Sequence, residues 1–317
     1  MDRATLFVFL LSVALTVGLP PKALIASASY QVVHGWPTLP EGFAFGQVAG
    51  VGVDSHNHVF VFHRGDHPIM CIGGATGEII KFWGDGFFDI PHGLAVDSKD
   101  NVWVTDVGLH QVFKFSHEGE LLMTLGEKGV TGLDDAHFNK PTDVAITPSG
   151  DFYVSDGYGN SRVVKFSPKG KFLFDWGKKG DLPGEFDLPH GIALDPQGRV
   201  YVADRTNSRV QVFDETGNFL AEWKSAGIGR PWDVAVGPDG FVYIMDGGDM
   251  NPKPPDRGRV VRVDLQGKKV DQFGSFGSYD GQFYWGHAVA VAPEGAVYVA
   301  DVHLGMRAQK FVKSKRE

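Results

Sequence analysis

Cysteine is almost missing from this chain. Cys71 is the one thiol in 317 residues, so no internal disulfide forms and no metal site can be built from several thiolates. A basic surplus is missing too. Lys and Arg number 30 against 38 Asp and Glu, a net charge of −8 with no basic stripe, which argues against nucleic acid as a partner. No helix-period segment of useful length appears beyond the first 28 residues, which argues against the helical fold classes. Long apolar runs are absent apart from Leu6–Leu19, which falls short of the ~20 residues that span a bilayer. Arg3 precedes that run and Ala26-Ser27-Ala28 follows it as a small-x-small cleavage signal. Residues 1–28 are therefore expected to be a secretory signal peptide cut before Ser29, with an uncleaved N-terminal anchor as the alternative. Either way residues 29–317 are expected outside the cytoplasm, secreted or periplasmic, and free of the membrane once the signal is cut. Cys71 lies in an apolar, strand-like run and needs no redox role.

What the chain has instead is glycine and rings: 42 Gly, 24 Phe, 8 Tyr and 7 Trp, a mix that suits short strands joined by tight turns. One unit recurs. It reads PHGLAVDSKDNVWVTD from Pro91, PTDVAITPSGDFYVSD from Pro141 and PHGIALDPQGRVYVAD from Pro189. It returns as PWDVAVGPDGFVYIMD from Pro231 and GHAVAVAPEGAVYVAD from Gly286, and a weaker first copy, VAGVGVDSHNHVFVFH, starts at Val48. Each copy alternates apolar residues on both sides of a Gly or Asn turn, the mark of a β-hairpin. A third strand (VVKFS, VQVFD, VVRVD) and a fourth (FLFDWG, FLAEWK, KVDQFG) follow. Four antiparallel strands per period of about 40 to 55 residues signal a β-propeller blade, so six copies predict an all-β, six-bladed propeller in one domain. The last copy has no fourth strand. The segment Tyr30–Trp36 resembles one and is expected to complete the sixth blade and close the ring. An open two-sheet β-protein is the other fold considered, and the regular repeat argues against it.

In a propeller the first strand of each blade lines the central channel, so equivalent positions form a ring. The second position of the unit holds Ala49, His92, Thr142, His190, Trp232 and His287 in turn. Histidine falls on alternate blades, about 120° apart around the axis. Three imidazoles placed so face one another, and three His with an open fourth position is a usual catalytic arrangement for Zn²⁺. Imidazole also suits copper, iron and nickel, so the metal is less defined than the site. A favoured P-H-G turn would explain one such histidine but not three on alternating blades. Of the other histidines, His56 and His58 lie in the hairpin turn DSHNH and are expected to be solvated. His63 replaces the repeat Asp and reads as structural. His67, His110 and His303 fall in loops near the channel mouth, where they could support the site.

The residues after the V-[WY]-V-x-D strand lie at one end of each blade. Blade one has Arg64 there and blade four Arg205, where blades two, five and six carry Val107, Gly247 and Val302; blade three has Tyr158 close by. Two arginines beside a metal-bearing channel make a carboxylate clamp. A phenol near a metal and two guanidiniums would be drawn toward phenolate, and Tyr158 could then act as a general base. Taken singly, each arginine could equally be salt-bridged to the next blade, and the tyrosine packed between blades. Asn160-Ser161-Arg162 and Asn207-Ser208-Arg209 recur at one phase in adjacent blades and read as blade-stabilising turns.

The repeat with its D-x-x-N-x-R-V-x-x-F tail resembles the NHL repeat. As an ordered set, VFHRGDH from Val61, PHGLAVD from Pro91, WVTDVGLHQVFKF from Trp103, HFNKPTDVA from His137, YVSDGYGNSRVVKF from Tyr153 and LPHGIALDPQGRVYVADR from Leu188 resemble the peptidyl-α-hydroxyglycine α-amidating lyases. The resemblance covers nearly all of the chain after the signal. It implies a carbon–nitrogen lyase that cleaves a peptidyl-α-hydroxyglycine to a peptide amide and glyoxylate. It places zinc on His92, His190 and His287, the catalytic tyrosine on Tyr158 and the catalytic arginines on Arg64 and Arg205, with Arg64 holding the substrate carboxylate.

Three departures from the family's pattern stand out. Ala288 replaces an Asp that follows the third zinc histidine and helps hold a structural calcium; the carbonyls of Val51 and Leu94 alone would make a weak site, which argues against calcium. Gly159 stands beside the tyrosine where animal members carry a disulfide cysteine. Pro68-Ile69-Met70 replaces a more polar continuation, so a different substrate rim is expected. The chain leaves no room for the copper monooxygenase that makes the hydroxylated substrate, which would come from elsewhere. The substrate is expected to be a peptide or small N-acyl compound ending in α-hydroxyglycine, and the protein a monomer. The alternative function is a non-enzymatic NHL-type propeller that binds a protein or glycan. A calcium-dependent lactonase would need carboxylate and Asn ligands where the ring has His, Thr, Trp and Ala.

Overall fold

The structure, a computed structural model, describes residues 30–225, 227–250 and 256–314; the expected signal peptide lies outside them. Six four-stranded antiparallel sheets make up the six blades of a β-propeller. Their innermost strands are Gln47–Val53, Pro91–Val96, Pro141–Ile146, Pro189–Leu194, Pro231–Val236 and Trp285–Val291. No helix occurs among the described residues.

Burial explains the strand pattern from the inside out. The second strands, such as Phe152–Asp156 and Val200–Asp204, are buried on both faces because neighbouring blades cover them, which is why they read as unbroken apolar runs. The fourth strands, such as Phe172–Trp176, alternate between covered and exposed residues on the outer wall. The turn joining the first two strands closes on a left-handed residue in every blade: Gly150, Gly198, Gly240 and Gly295 in four, and Asn57 and Asp100 in blades one and two. Glycine takes that conformation without penalty and Asn or Asp with little, hence the recurrent Gly or Asn of the unit.

The ring closes as expected. Tyr30–Val32 pairs with Arg307–Lys313, matching Tyr30 with Lys313 and Val32 with Phe311. This strand is shorter than the Tyr30–Trp36 segment suggested. The chain turns after Val32, and Trp36 leaves the sheet to pack against Tyr298, with ring centroids 4.9 Å apart. Cys71 is fully buried in blade one, and burial pushes its thiol up to about 12, in keeping with no redox role. Ile69 and Met70 are buried in the same strand, so the departure at Pro68-Ile69-Met70 changes the inside of blade one and not the rim.

The repeat Asp ties each blade to the segment leading into it. Asp106 accepts from the amides of Asp89 and Ile90, Asp156 from Asn139, Asp204 from Asp187, Asp246 from Arg230, and Asp301 from Tyr284 and Trp285. His63 does this job in blade one: its Nδ1 accepts from the Gly46 amide at 3.1 Å and its Nε2 donates to the His67 carbonyl. Burial lowers its pKa to about 4, so it stays neutral as the role requires.

Candidate active site

Every innermost strand carries an irregularity at the same step. The register between first and second strands shifts between Val48 and Gly50, Pro91 and Leu94, Pro141 and Asp143, Pro189 and Ile192, Pro231 and Asp233, and Gly286 and Ala288. The residues caught in these bulges include Ala49, His92, Thr142, His190, Trp232 and His287. A bulge re-aims a side chain that a regular strand would send into the sheet. Here it turns the ring positions into the channel.

His92, His190 and His287 are all buried, and their ring centroids lie 4.6 to 4.8 Å apart, close to an equilateral triangle. Each Nδ1 meets a backbone carbonyl of the next blade: His92 with Thr142 at 2.7 Å, His190 with Trp232 at 2.6 Å and His287 with Ala49 at 2.7 Å. The three non-histidine ring positions thus hold the three histidines. A carbonyl can only accept, so each Nδ1 carries the proton and each Nε2 offers a lone pair. Burial pushes His92 down to about 3, with the Arg64 charge adding to it. Burial also holds His190 and His287 well below the usual value, with the charges of their neighbours adding to it. Three neutral imidazoles with their outer nitrogens tied to carbonyls and their ligand atoms within 4.8 Å of one another are what a tris-His metal site requires.

Tyr158 closes this group. Its Oη lies 3.2 Å from His92 Nε2 and 3.1 Å from His190 Nε2. Arg205 Nη1 donates to the same Oη at 3.2 Å. The Arg205 guanidinium lies 3.4 Å over the Trp232 ring, and its Nη2 reaches Met250 Sδ at 2.9 Å. Arg64 donates through Nε to the Pro91 carbonyl and through Nη1 to Gln47 Oε1. Among the described residues neither arginine has a carboxylate within ion-pair distance, and Arg205 Nε has no hydrogen-bond partner. Burial lowers both guanidiniums, and the negative charge of an ionised Tyr158 is the first opposing influence on each. The salt bridge to a neighbouring blade that sequence left open for them is not made. All six expected site residues fall at one end of the channel. Of the two arginines expected beside the phenol, Arg205 makes the hydrogen bond to Tyr158.

His67, His110 and His303 do not join the site. His67 pairs with Asp85 at 2.8 Å, His110 accepts from the Lys140 amide, and His303 packs against Trp285. Asn160 and Arg162, and Asn207 and Arg209, bind the repeat Asp of their blades, as expected of blade-stabilising turns.

Two acidic residues beside the histidines were not singled out from sequence. A small cavity beneath the histidines is lined by Leu94, Ala288 and two carboxylates, the half-buried Asp143 and the buried Asp233. Asp143 accepts from the Ile192 amide, and Asp233 from the amides of Val234 and Val289. Burial raises both above the carboxylate range, and the charge of Asp143 raises Asp233 further. The pair therefore retains a proton or accepts a cation. The signal was one column along the repeat, where Gly50, Gly93, Asp143, Gly191, Asp233 and Ala288 follow the ring positions. Ala288 offers no carboxylate, but carbonyls are not the only oxygens here; the acids come from blades three and five.

A family model described as the NHL repeat matches residues 88–115, 138–166 and 186–213. The chain is 36% identical over 315 residues to peptidyl-glycine alpha-amidating monooxygenase A of Xenopus laevis, covering 89% of this chain and 33% of that protein. It is 33% identical over 345 residues to peptidyl-alpha-hydroxyglycine alpha-amidating lyase 1 of Drosophila melanogaster, covering 92% of this chain and 63% of the relative. The chain thus spans a third of the first relative's length and less than two thirds of the second's. Among solved structures, a streptogramin B lyase superposes with a TM-score of 0.60 at 15% identity, over 86% of this chain and 95% of that one, a likeness of fold alone.

Proposed function

From the premise that this chain is an NHL-repeat protein homologous to the peptidyl-α-hydroxyglycine α-amidating lyases, we propose that it is a metal-dependent carbon–nitrogen lyase. It would cleave an N-acyl- or peptidyl-α-hydroxyglycine to an amide and glyoxylate. The observation that carries this reading is the convergence of three neutral Nε2 atoms with Tyr158 Oη, 3.1 to 3.2 Å from two of them.

His92, His190 and His287 would hold the metal, Zn²⁺ by preference for three imidazoles and an open position. When bound, it supplies a Lewis acid that makes the substrate hydroxyl more acidic. The rest falls to the chain's own residues. Arg205 and Arg64 lack an anion, and a Tyr158 phenolate supplies one at the oxygen Arg205 already grips. That oxygen takes the hydroxyl proton. The C–O bond becomes the aldehyde of glyoxylate, the C–N electron pair returns to nitrogen, and nitrogen takes up the proton that Tyr158 carries, which restores the phenolate, so atoms and charge balance. Arg64, whose Nη2 is outside its two internal bonds, is placed to hold the substrate carboxylate. Trp232 and Met250 fix the Arg205 fork from two sides. We place the reaction outside the cytoplasm on the strength of the Leu6–Leu19 run and the Ala26-Ser27-Ala28 signal.

The test is glyoxylate release from an N-acyl-α-hydroxyglycine, set beside the same hemiaminal with its carboxylate converted to an amide. The expected result is equimolar amide and glyoxylate from the acid and far slower turnover of the neutral analogue. No glyoxylate from the acid, with the metal in place, would favour a binding propeller instead.

A further inference from the structure

A second set of metal-ligating side chains lies at the far mouth of the channel. Asp54 lies five positions along the chain from the ring position Ala49, about 17 Å of extended backbone, so this cluster is remote from the tris-His group. Asp54 is buried, and its carboxylate gathers four donors. Oδ1 accepts from the amides of His56 and His58 at 2.9 and 2.7 Å. Oδ2 meets His58 Nδ1 and His117 Nε2, both at 2.9 Å. His58 is only 30% exposed and held by Asp54, unlike the solvated residue its turn suggested; His56 is exposed and stacks on it with centroids 5.8 Å apart.

We propose that Asp54, His56, His58 and His117 form a second site for a borderline divalent metal such as Zn²⁺, pinning blade one to blade two.

Three observations support it. The ligand atoms of Asp54, His56 and His58 lie within 4.8 Å of one another. The 2.9 Å N···O separations at Asp54 Oδ2 need open only slightly to reach the ~3.3 Å edge of a tetrahedron whose metal bonds are 2.0–2.1 Å. His117 is also oriented as a ligand from behind: its Nδ1 lies 2.8 Å from Glu118 Oε1, so the Nδ1–H can donate to Glu118 and leave the Nε2 lone pair for the metal. That is the carboxylate–imidazole support common around metal histidines. Lys81 Nζ lies 2.9 Å from both His117 Nδ1 and Glu118 Oε1, and Asp100 lies 3.4 Å from His56 Nδ1. Three carboxylates against one ammonium leave the site favourable to a dication. His117 sits in the turn Ser116–Gly119 of blade two while the other ligands come from the blade-one turn, so an ion there would add a coordinate cross-link to the hydrogen bonds, such as Ser55 to Asp100, that already join the two blades.

The test is equilibrium dialysis of the full chain against Zn²⁺ alone, with folding checked by circular dichroism. His190→Ala removes the channel site and is expected to retain one equivalent. His58→Ala/His117→Gln is expected to lose that equivalent and keep the channel one. Glu118→Gln, which leaves all four ligands in place, is expected to weaken the second equivalent by about 10- to 100-fold. The exposed His56→Ala variant, which carries little folding risk, is expected to weaken it at least tenfold. Loss of all zinc in His190→Ala would overturn the proposal, as would an unchanged second equivalent in the His58/His117 or His56 variant.

Discussion

Arg205 and Arg209 stand four residues apart in blade four, and both are buried, 4% and 1% exposed. Arg209 is saturated. Its Nε meets Asp204 at 2.7 Å, one Nη meets Glu222 and the Asp181 carbonyl, and the other meets the carbonyls of Leu182 and Glu185. Arg162 repeats this arrangement in blade three with Asp156 and Asp175. Arg205 has no carboxylate; it has a phenol oxygen, a thioether, an indole face and an unpartnered Nε. A buried cation is costly without an anion, and Arg209 has two. The same residue type at one end of one blade thus serves structure where its charge is neutralised and is available for chemistry where it is not.

The largest effect expected from breaking this comparison lies on the structural side. Arg209→Ala leaves Asp204 buried without its partner, and unfolding in denaturant should show a loss of about 3–5 kcal/mol. On the other side, Tyr158→Phe removes the proton acceptor while keeping the ring. It should cut kcat by about 10²–10⁴ with KM and melting temperature little changed. Arg205→Lys keeps the charge and loses the planar fork, so kcat should fall about 10- to 100-fold, again without the stability loss of the Arg209 variant. If Arg205→Lys melted as early as Arg209→Ala, the two arginines would have the same job and the distinction would fail.

The smallest effect concerns the acid pair beneath the histidines. Asp143 and Asp233 have folded pKa values raised by burial, so the folded chain keeps protons that the unfolded chain releases. Stability is therefore full below the unfolded carboxylate pKa of about 4 and is lost as pH rises through the raised folded values. Asp233→Asn should remove much of that slope and raise stability at neutral pH by on the order of 1–2 kcal/mol, read from melting temperatures across pH.

The propeller and its histidine ring were legible because a repeat turns a column of sequence into a ring in space. His92, His190 and His287 needed only the period and the phase. His63 could be assigned because it broke the Asp column, and the structure gives it the Asp's hydrogen bonds. Asp143 and Asp233 were missed although they sit one column away, because the bulge brings two successive residues to the channel where a regular strand would bring one. The Arg205–Tyr158 contact joins different blades, and only side-chain geometry decides which arginine makes it. His117 lies 63 residues from Asp54, and no periodicity links a blade-two turn to a blade-one turn.

The tris-His assignment is tested most directly by the metal content of the purified chain, wild type against His190→Ala, with glyoxylate release followed on the same samples. The prediction is zinc at the channel site of the wild type, one equivalent fewer in the variant, and glyoxylate formation lost with it. Equal metal in both proteins, or undiminished glyoxylate release from the variant, would contradict a metal held by His92, His190 and His287.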